Sequence, residues 1–505
     1  MTRRKTTARR IGVLVAFLAT AASPALSSAA EPTREDVLAA MKSAATFMSE
    51  EVALKGGYVW VVSEDLGLRW GELTTRPSQI WLQGGTELVG QVMLDAYEAT
   101  RDDFYLTIAR KAADALVYGQ HSTGGWHYFI DFDPTGVPAW YETEASKVLF
   151  GMEEYRYFYG NATFDDRVTQ DAARFLLRYY NLTLEAAYRK PVRRALNFVL
   201  ESQYPNGAWP QRYPLRDDYA HDGFPDYTSY YTLNDGATQA NIELLLEAWE
   251  TLGDPTYYEA ALHAVDALVE MQGPEDQGCW AEQYGPDMQP IAARTHEPAG
   301  YVVRESIGVL QILGRFYLMT GDTRYLDPIP RCLAWFDRIN RESAEQRYPR
   351  PRYWEPGTNK PLYVVKTGQM TPEGYGVFLW TNDPAQTRCD DRPCEWDGKP
   401  IVDAAYFREQ YRQISSSSTA LARDAYLSKM LASQARRPRS KESVATIIAA
   451  QDARGAWVTD GNTVNQPGAR TDAEAQLSVR GISTRTFAER MATLIDTLHD
   501  GAGRE

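Results

Sequence analysis

Four copies of one short pattern limit what this chain can fold into. In each, apolar residues at helical spacing lead to a glutamine, a short polar turn follows, and a glycine and a small residue precede a tryptophan. The copies are QHSTGGWHY from residue 120, QYPNGAWPQRYP from 203, QGPEDQGCWAEQ from 272 and QDARGAWVTD from 451. Val192, Ala195, Leu196, Val199 and Leu200 approach the second copy, and Val444, Ile447 and Ile448 the last, a spacing that puts them on one face of a helix. A second element has the spacing Asp-x-x-Tyr, in Asp102 to Tyr105, Asp254 to Tyr257 and Asp322 to Tyr325, where the aspartate can cap the helix that follows. Two classes of turn between helical runs mark helical hairpins with one kind of loop at each end.

Hairpins of this kind bury a face against their neighbours, so they stack as a solenoid or close into a ring. The expected fold is all-α, an α/α toroid with its glycine-rich turns and long loops on one rim. Few segments alternate with period two and β-branched runs are short, so a large sheet is not expected. Glycine in the corner permits close backbone approach. Trp126, Trp209, Trp280 and Trp457 then either pack over helix ends or offer flat faces to sugar rings, and 31 Tyr and 13 Trp favour carbohydrate.

Arg3, Arg4, Lys5, Arg9 and Arg10 precede an apolar run from Ile11 to about Ala21, with small residues through Ala30. That order reads as a cleaved secretory signal over 1–30; Pro24 and the serines stop the run short of a membrane span. The expected location is secreted or periplasmic, with no membrane association after cleavage. The net charge of −14 grows more negative once the five leader cations are removed, which argues against nucleic acid and requires a local cation wherever a polyanion docks. Cys279, Cys332, Cys389 and Cys394 leave three connectivities open, and CDDRPC could clip one loop. Residues 31–505 are expected to form a single catalytic domain and a monomer. Within it, 395–440 reads as an irregular excursion and 441–505 as a closing hairpin ended by TFAERMATLIDTL, with 500–505 frayed.

Three stretches put charge into turns: NATFDDRVT at 161–169, YTLNDGAT at 231–238 and PIAARTHEPAG at 290–300. Asp165 with Asp166, and Asn234 with Asp235, supply hard oxygen ligands of the kind calcium takes, although either pair alone reads equally as a helix cap. Arg294 and Glu297 form at least a loop salt bridge. Lys366 reads as a solvated charge and His296 as structural, since no nucleophile motif accompanies it.

QYPNGAWPQRYPL, then YTLNDGAT, then AEQYGPDMQPIAARTHEP, with TFDD upstream and GTNKPLYVVK downstream, together resemble the pectate lyases of polysaccharide lyase family 10 over roughly 55–380. The resemblance implies an α/α toroid that cleaves polygalacturonate by β-elimination with Ca²⁺. It implies Arg294 as the base that takes the C5 proton, and Asp165, Asp166 and Asp235 as the metal-side acids. Trp209, Gln211, Lys366 and Glu297 are the implied substrate-binding residues. The chain departs from the family at Asp166, where many members carry Asn, at Ala208, which replaces the second glycine of the corner, and in PEGYGVF, which lacks a further arginine.

The chemistry fits these residue types, because a C5 proton is acidic only through its neighbouring carboxylate and a cation on that carboxylate stabilises the charge that develops. A guanidinium is ordinarily protonated, so as base it calls for an alkaline optimum. Two alternatives stand beside this: a glycoside hydrolase on the same toroid, using an acid and a base carboxylate, and a non-catalytic uronate-binding protein.

Overall fold

The computed structural model describes residues 31–143, 160–216, 226–370, 376–386, 388–389, 392–393, 400–434, 437–465 and 476–500. The leader, Cys394 and with it any Cys389–Cys394 clip, and the last five residues lie outside them. The helices are α1 (Arg34–Phe47), α2 (Thr86–Thr100), α3 (Asp103–Gly119), the short α4 (Val137–Thr143), α5 (Val168–Thr183), α6 (Ala186–Glu201) and α7 (Ala237–Leu252). They continue as α8 (Pro255–Glu270), α9 (Val303–Thr320), α10 (Pro328–Gln346), α11 (Ala404–Ser416), α12 (Ala420–Gln434), α13 (Val444–Ala449) and α14 (Thr484–Asp500).

Every tryptophan corner is built alike. The indole N–H donates to a carbonyl near the end of the preceding outer helix: Trp126 to Leu116, Trp209 to Val199, Trp280 to Leu268 and Trp457 to Ile447. The glutamine amide donates twice, once to the corner's own glycine carbonyl and once to the next outer helix. Gln120 thus reaches Gly124 and Pro191, Gln203 reaches Gly207 and Ala260, and Gln272 reaches Gly278 and Pro328. Gln451 reaches Gly455 and Ala40 of α1, so the last corner rests on the first helix and the outer layer closes on itself. Gly207 has φ +94°, and a Cβ there would overlap the backbone carbonyl of His263 in α8; this is the close approach the corner requires.

Inside that layer α14 packs on α2, α2 on α5, α5 on α7, α7 on α9 and α9 on α12. The segment after α12 completes the ring through Arg437 to Asp95 of α2 and Arg439 to Asp496 of α14. The fold is an α/α toroid. Inner helices touch neighbours on every side, which is why Leu244, Leu245 and Leu246 are consecutive and all fully buried. At the opposite rim Asp102, Asp254 and Asp322 accept from the backbone N–H groups of Phe104, Thr256 and Arg324, the capping expected of the Asp-x-x-Tyr turns.

Two expectations need correction, the irregular excursion and a substrate-binding Trp209, while the small place given to sheet holds among the described residues. Residues 395–440 are not simply irregular, since α11 and α12 lie there and α12 packs on α9, though none of its described residues is buried. Among the described residues sheet is confined to small pieces, the larger two being a four-stranded sheet that joins Val61–Ser63 and Arg69–Trp70 to Val458–Asn465 and Gln476–Ser483, and a five-stranded one that ends in the long hairpin Pro361–Met370 and Gly376–Thr381. The tryptophans of the corners are core. Trp126, Trp209 and Trp280 are fully buried and Trp457 nearly so, which leaves no ring face for a sugar. Among the cysteines, Cys279 beside Trp280 is bonded to Cys332 of α10, tying a corner to the next outer helix.

Candidate active site

Two turns at the N-termini of α5 and α7 share an unusual backbone. Asp166 (φ 51°, ψ 21°) and Arg167 (φ 64°) are both left-handed, as are Asp235 (φ 51°, ψ 22°) and Gly236 (φ 72°). Short polar side chains tolerate that region better than most residues, and glycine freely. Each turn is held from both sides. Ala162–Thr163 pairs with Arg212–Tyr213, and Tyr231–Thr232 pairs with Gln283–Tyr284. Below them, Thr169 and Thr238 in the first turns of α5 and α7 bond to the Trp126 backbone and to the Thr232 carbonyl. The carboxylates at these turns are not helix caps.

Asp165 is buried and accepts from Tyr128 Oη at 2.5 Å and Gln211 Nε2 at 3.1 Å. Arg294 Nη1 lies 3.7 Å from its Oδ2. Arg294, 7% exposed, donates from Nη2 to Glu297 Oε1 at 2.8 Å and stands over the Tyr227 ring at 5.9 Å. Glu297 also accepts from Asn234 Nδ2, Gln283 Nε2 and the Arg294 backbone N–H. Burial by itself would raise its pKa, but the Arg294 guanidinium beside it, with His296, outweighs that and holds it down to about 2. Asp235 accepts from Arg304 at 2.9 Å. Burial and the Asp165 charge together push Asp235 above the usual range; burial, then Asp165 and Asp235, push Asp166 well above it. Arg294 thus stands against Asp165, with Asp166 and Asp235 close enough for the carboxyls to repel one another, and Arg304 is a second cation on Asp235.

The sequence-predicted residues divide accordingly. Arg294, Asp165, Asp166 and Asp235 come together. Gln211 and Glu297, expected on substrate, are instead buried and spent on Asp165 and Arg294, because a buried charge needs its partners saturated. Trp209 is excluded from contact by its burial. Lys366 pairs with Phe378 in the rim hairpin, and its side chain lies outside the described residues. His296 packs against Phe378 and lies 3.9 Å from Glu297 Oε1.

Several supports were not legible from spacing. Tyr128 follows the first corner, and Arg212 of the quoted QRYP bonds to Asn161 Oδ1 at 3.0 Å. The Glu282 carbonyl accepts from Leu233 N and Asn234 N, while its carboxylate is held by Arg352 and Tyr353. Only residence in corners and turns already marked as odd could have pointed to Tyr128 and Arg212; nothing in the sequence marked Arg352.

For a hard cation the donor type is right, since carboxylates are what calcium takes; burial and then the neighbouring carboxylates disfavour the ionised form of Asp166 and Asp235, a penalty a bound cation would relieve. Among the described residues no three His, Cys, Asp or Glu side chains close on one metal position, so further ligands from substrate or water would be required.

Residues 138–369 match the model of the pectic acid lyase family, Pec_lyase, and this stretch carries Asp165, Asp166, Asp235 and Arg294. Among curated proteins none matches the chain. A solved family 10 polysaccharide lyase from Cellvibrio cellulosa is similar at 20% identity and a TM-score of 0.39, over 63% of this chain and 95% of that one. A mutant of a family 10 polysaccharide lyase from the same organism, in complex with trigalacturonic acid, aligns at 20% identity and a TM-score of 0.37, over 63% and 98%. The GH76 α-mannanase of Bacteroides thetaiotaomicron aligns at 10% identity and a TM-score of 0.42, over 93% and 97%.

Proposed function

From the match of its central region to the pectic acid lyases, we propose that this protein is a pectate lyase that cleaves polygalacturonate by β-elimination. The observation that carries the reading is Arg294: a guanidinium fixed by Glu297, nearly closed off from water and set against Asp165 with two more carboxyls alongside. Glu297 and the Asn234 and Gln283 amides behind it hold the guanidinium in one orientation, so its position is fixed before substrate arrives. Arg294 takes the C5 proton; C4=C5 forms as the C4–O bond breaks, and the leaving oxygen takes up a proton.

Asp165, Asp166 and Asp235 would hold calcium together with the uronate carboxylate, and calcium when bound supplies the positive charge that stabilises the developing carbanion. Carboxylates next to a guanidinium favour its protonated form. Neutralising them favours the base form, and so does high pH. Tyr128 and Gln211 keep Asp165 turned towards Arg294. Export is part of the proposal, supported by the leader pattern and by the Cys279–Cys332 disulfide, which persists in oxidising compartments. No helix among the described residues is long and apolar enough to cross a membrane.

The test is purified protein with de-esterified pectin, with and without Ca²⁺. Ultraviolet absorbance from unsaturated ends, an alkaline optimum and loss of rate with chelator are expected. Reducing sugar released without absorbance would make the protein a hydrolase. Binding with no cleavage, and an Arg294→Lys variant that binds equally well, would make it a uronate-binding protein.

A further inference from the structure

The strand Gly376–Thr381 lies beyond the residues that match the family, yet it is laid against the loop that carries Arg294. Phe378 packs on His296 with ring centroids 5.5 Å apart. Trp380, two residues on and so on the same face of the strand, donates its indole N–H to the carbonyl oxygen of Thr295 at 3.0 Å. Thr295 is the immediate neighbour of Arg294. Trp380 nevertheless keeps 43% of its surface in water, whereas Trp81, Trp126, Trp209, Trp280, Trp335 and Trp354 are among the largest fully buried side chains.

An indole already anchored by its one polar atom has only ring faces and edges left to offer. Leaving such a ring in water forgoes apolar burial that a core position would have gained; what distinguishes Trp380 from other exposed apolar side chains is its fixed seat on the loop that carries Arg294. Through Thr295 the ring is anchored one residue of backbone from Arg294, within reach of the neighbouring sugar units of a polymer held there. A pyranose carries a face of C–H groups with its hydroxyls and carboxylate at the edge, which suits a flat indole.

We infer that Trp380 is a stacking platform for a pyranose ring of the acidic polysaccharide, extending the binding groove past the reacting residues. The inference rests on the lyase reading for the identity of the polymer. Because the indole N–H ties Trp380 to the Arg294 loop, ring and anchor must be separated: Trp380→Phe keeps a ring and loses the N–H, while Trp380→Ala loses both.

Two readouts are taken on each variant: KM and kcat on polygalacturonate, and retardation in a native gel containing polygalacturonate, which needs no turnover. Trp380→Ala is expected to raise KM and weaken retardation by roughly tenfold, the size of one aromatic contact, with a smaller effect on kcat, and Trp380→Phe to restore most of the KM and the retardation. Equal retardation of Trp380→Ala and the unaltered protein overturns the platform. So does an equal loss of kcat in both variants with retardation intact, which would make Trp380 an anchor only. If the unaltered protein yields no ultraviolet-absorbing product but is retarded more than Trp380→Ala, the lyase reading falls and the platform stands.

Discussion

Replacing Glu297 by glutamine keeps the shape of the side chain and removes the charge that fixes Arg294. Oε1 of Glu297 accepts from Asn234 and from Arg294 Nη2, and Oε2 from Gln283 and the Arg294 backbone N–H. Whichever way a glutamine turned, its NH₂ would face two donors. Holding Glu297 at about 2 against an ordinary 4.5 corresponds to about 3 kcal/mol, and breaking one side of a buried ion pair costs about 3–5 kcal/mol by mutational precedent. For a chain of this length each kcal/mol moves the midpoint by about 1 °C, so thermal unfolding should shift down by about 3–5 °C. A guanidinium released from its seat should also lower kcat on polygalacturonate by about 100-fold when both proteins are compared at their alkaline plateau, where loss of the Glu297 charge no longer changes the share of base form. The stability difference has a signed pH dependence. A lowered carboxyl stabilises the fold above its unfolded value and loses that contribution as pH falls, so the gap between Glu297→Gln and the unaltered protein should hold down to about 4.5 and shrink towards about 2. A midpoint within one degree of the original, or kcat within about twofold, would refute the view that this pair fixes the base.

Glu305 behaves in the opposite sense: it is buried, neither carboxylate oxygen has a hydrogen-bond partner among the described residues, and burial with the nearby Glu282 raises it to about 8. The native state keeps this proton while the unfolded state releases it, so stability falls as pH rises from about 4.5 to about 8, and Glu305→Gln should gain about 3 kcal/mol near neutrality; unfolding midpoints that coincide at neutral and acid pH would contradict this. Gly207→Ala forces a β-carbon into the His263 carbonyl at left-handed φ and should cost at least about 2 kcal/mol; an unchanged midpoint would show that the corner relaxes freely. Changing Cys279 and Cys332 together to serine opens a loop with a sequence separation of 53 and should cost about 4 kcal/mol in the chain-entropy account, read as the same loss that reductant causes in the unaltered protein.

The hairpins were legible because their two turns repeat. Gln120, Gln203, Gln272 and Gln451 each make the same pair of bonds, so a local rule of composition stands for a repeated local geometry. The aspartates and Arg294 were legible as charges in turns, and the resemblance ordered them. Their supports were not, because Glu282 and Arg352 are separated by 70 residues and meet only once the rim is assembled. The corner tryptophans show the limit from the other side. A glycine-tryptophan turn is equally suited to packing and to sugar binding, and burial alone separated Trp209, which is enclosed, from Trp380, which no pattern had marked.

What the sequence determined by itself is therefore periodic or covalent: helical hairpins of one design, an acidic chain, and carboxylates in turns where helices begin. What the tertiary structure decided is which of those groups meet. The last corner reaches Ala40 across 411 residues, and Glu297 answers to donors from three separate turns. Spacing along a chain sets only local neighbours. The ionisation and accessibility of a group follow from charges and burial around it in space, and those exist only after the ring has closed.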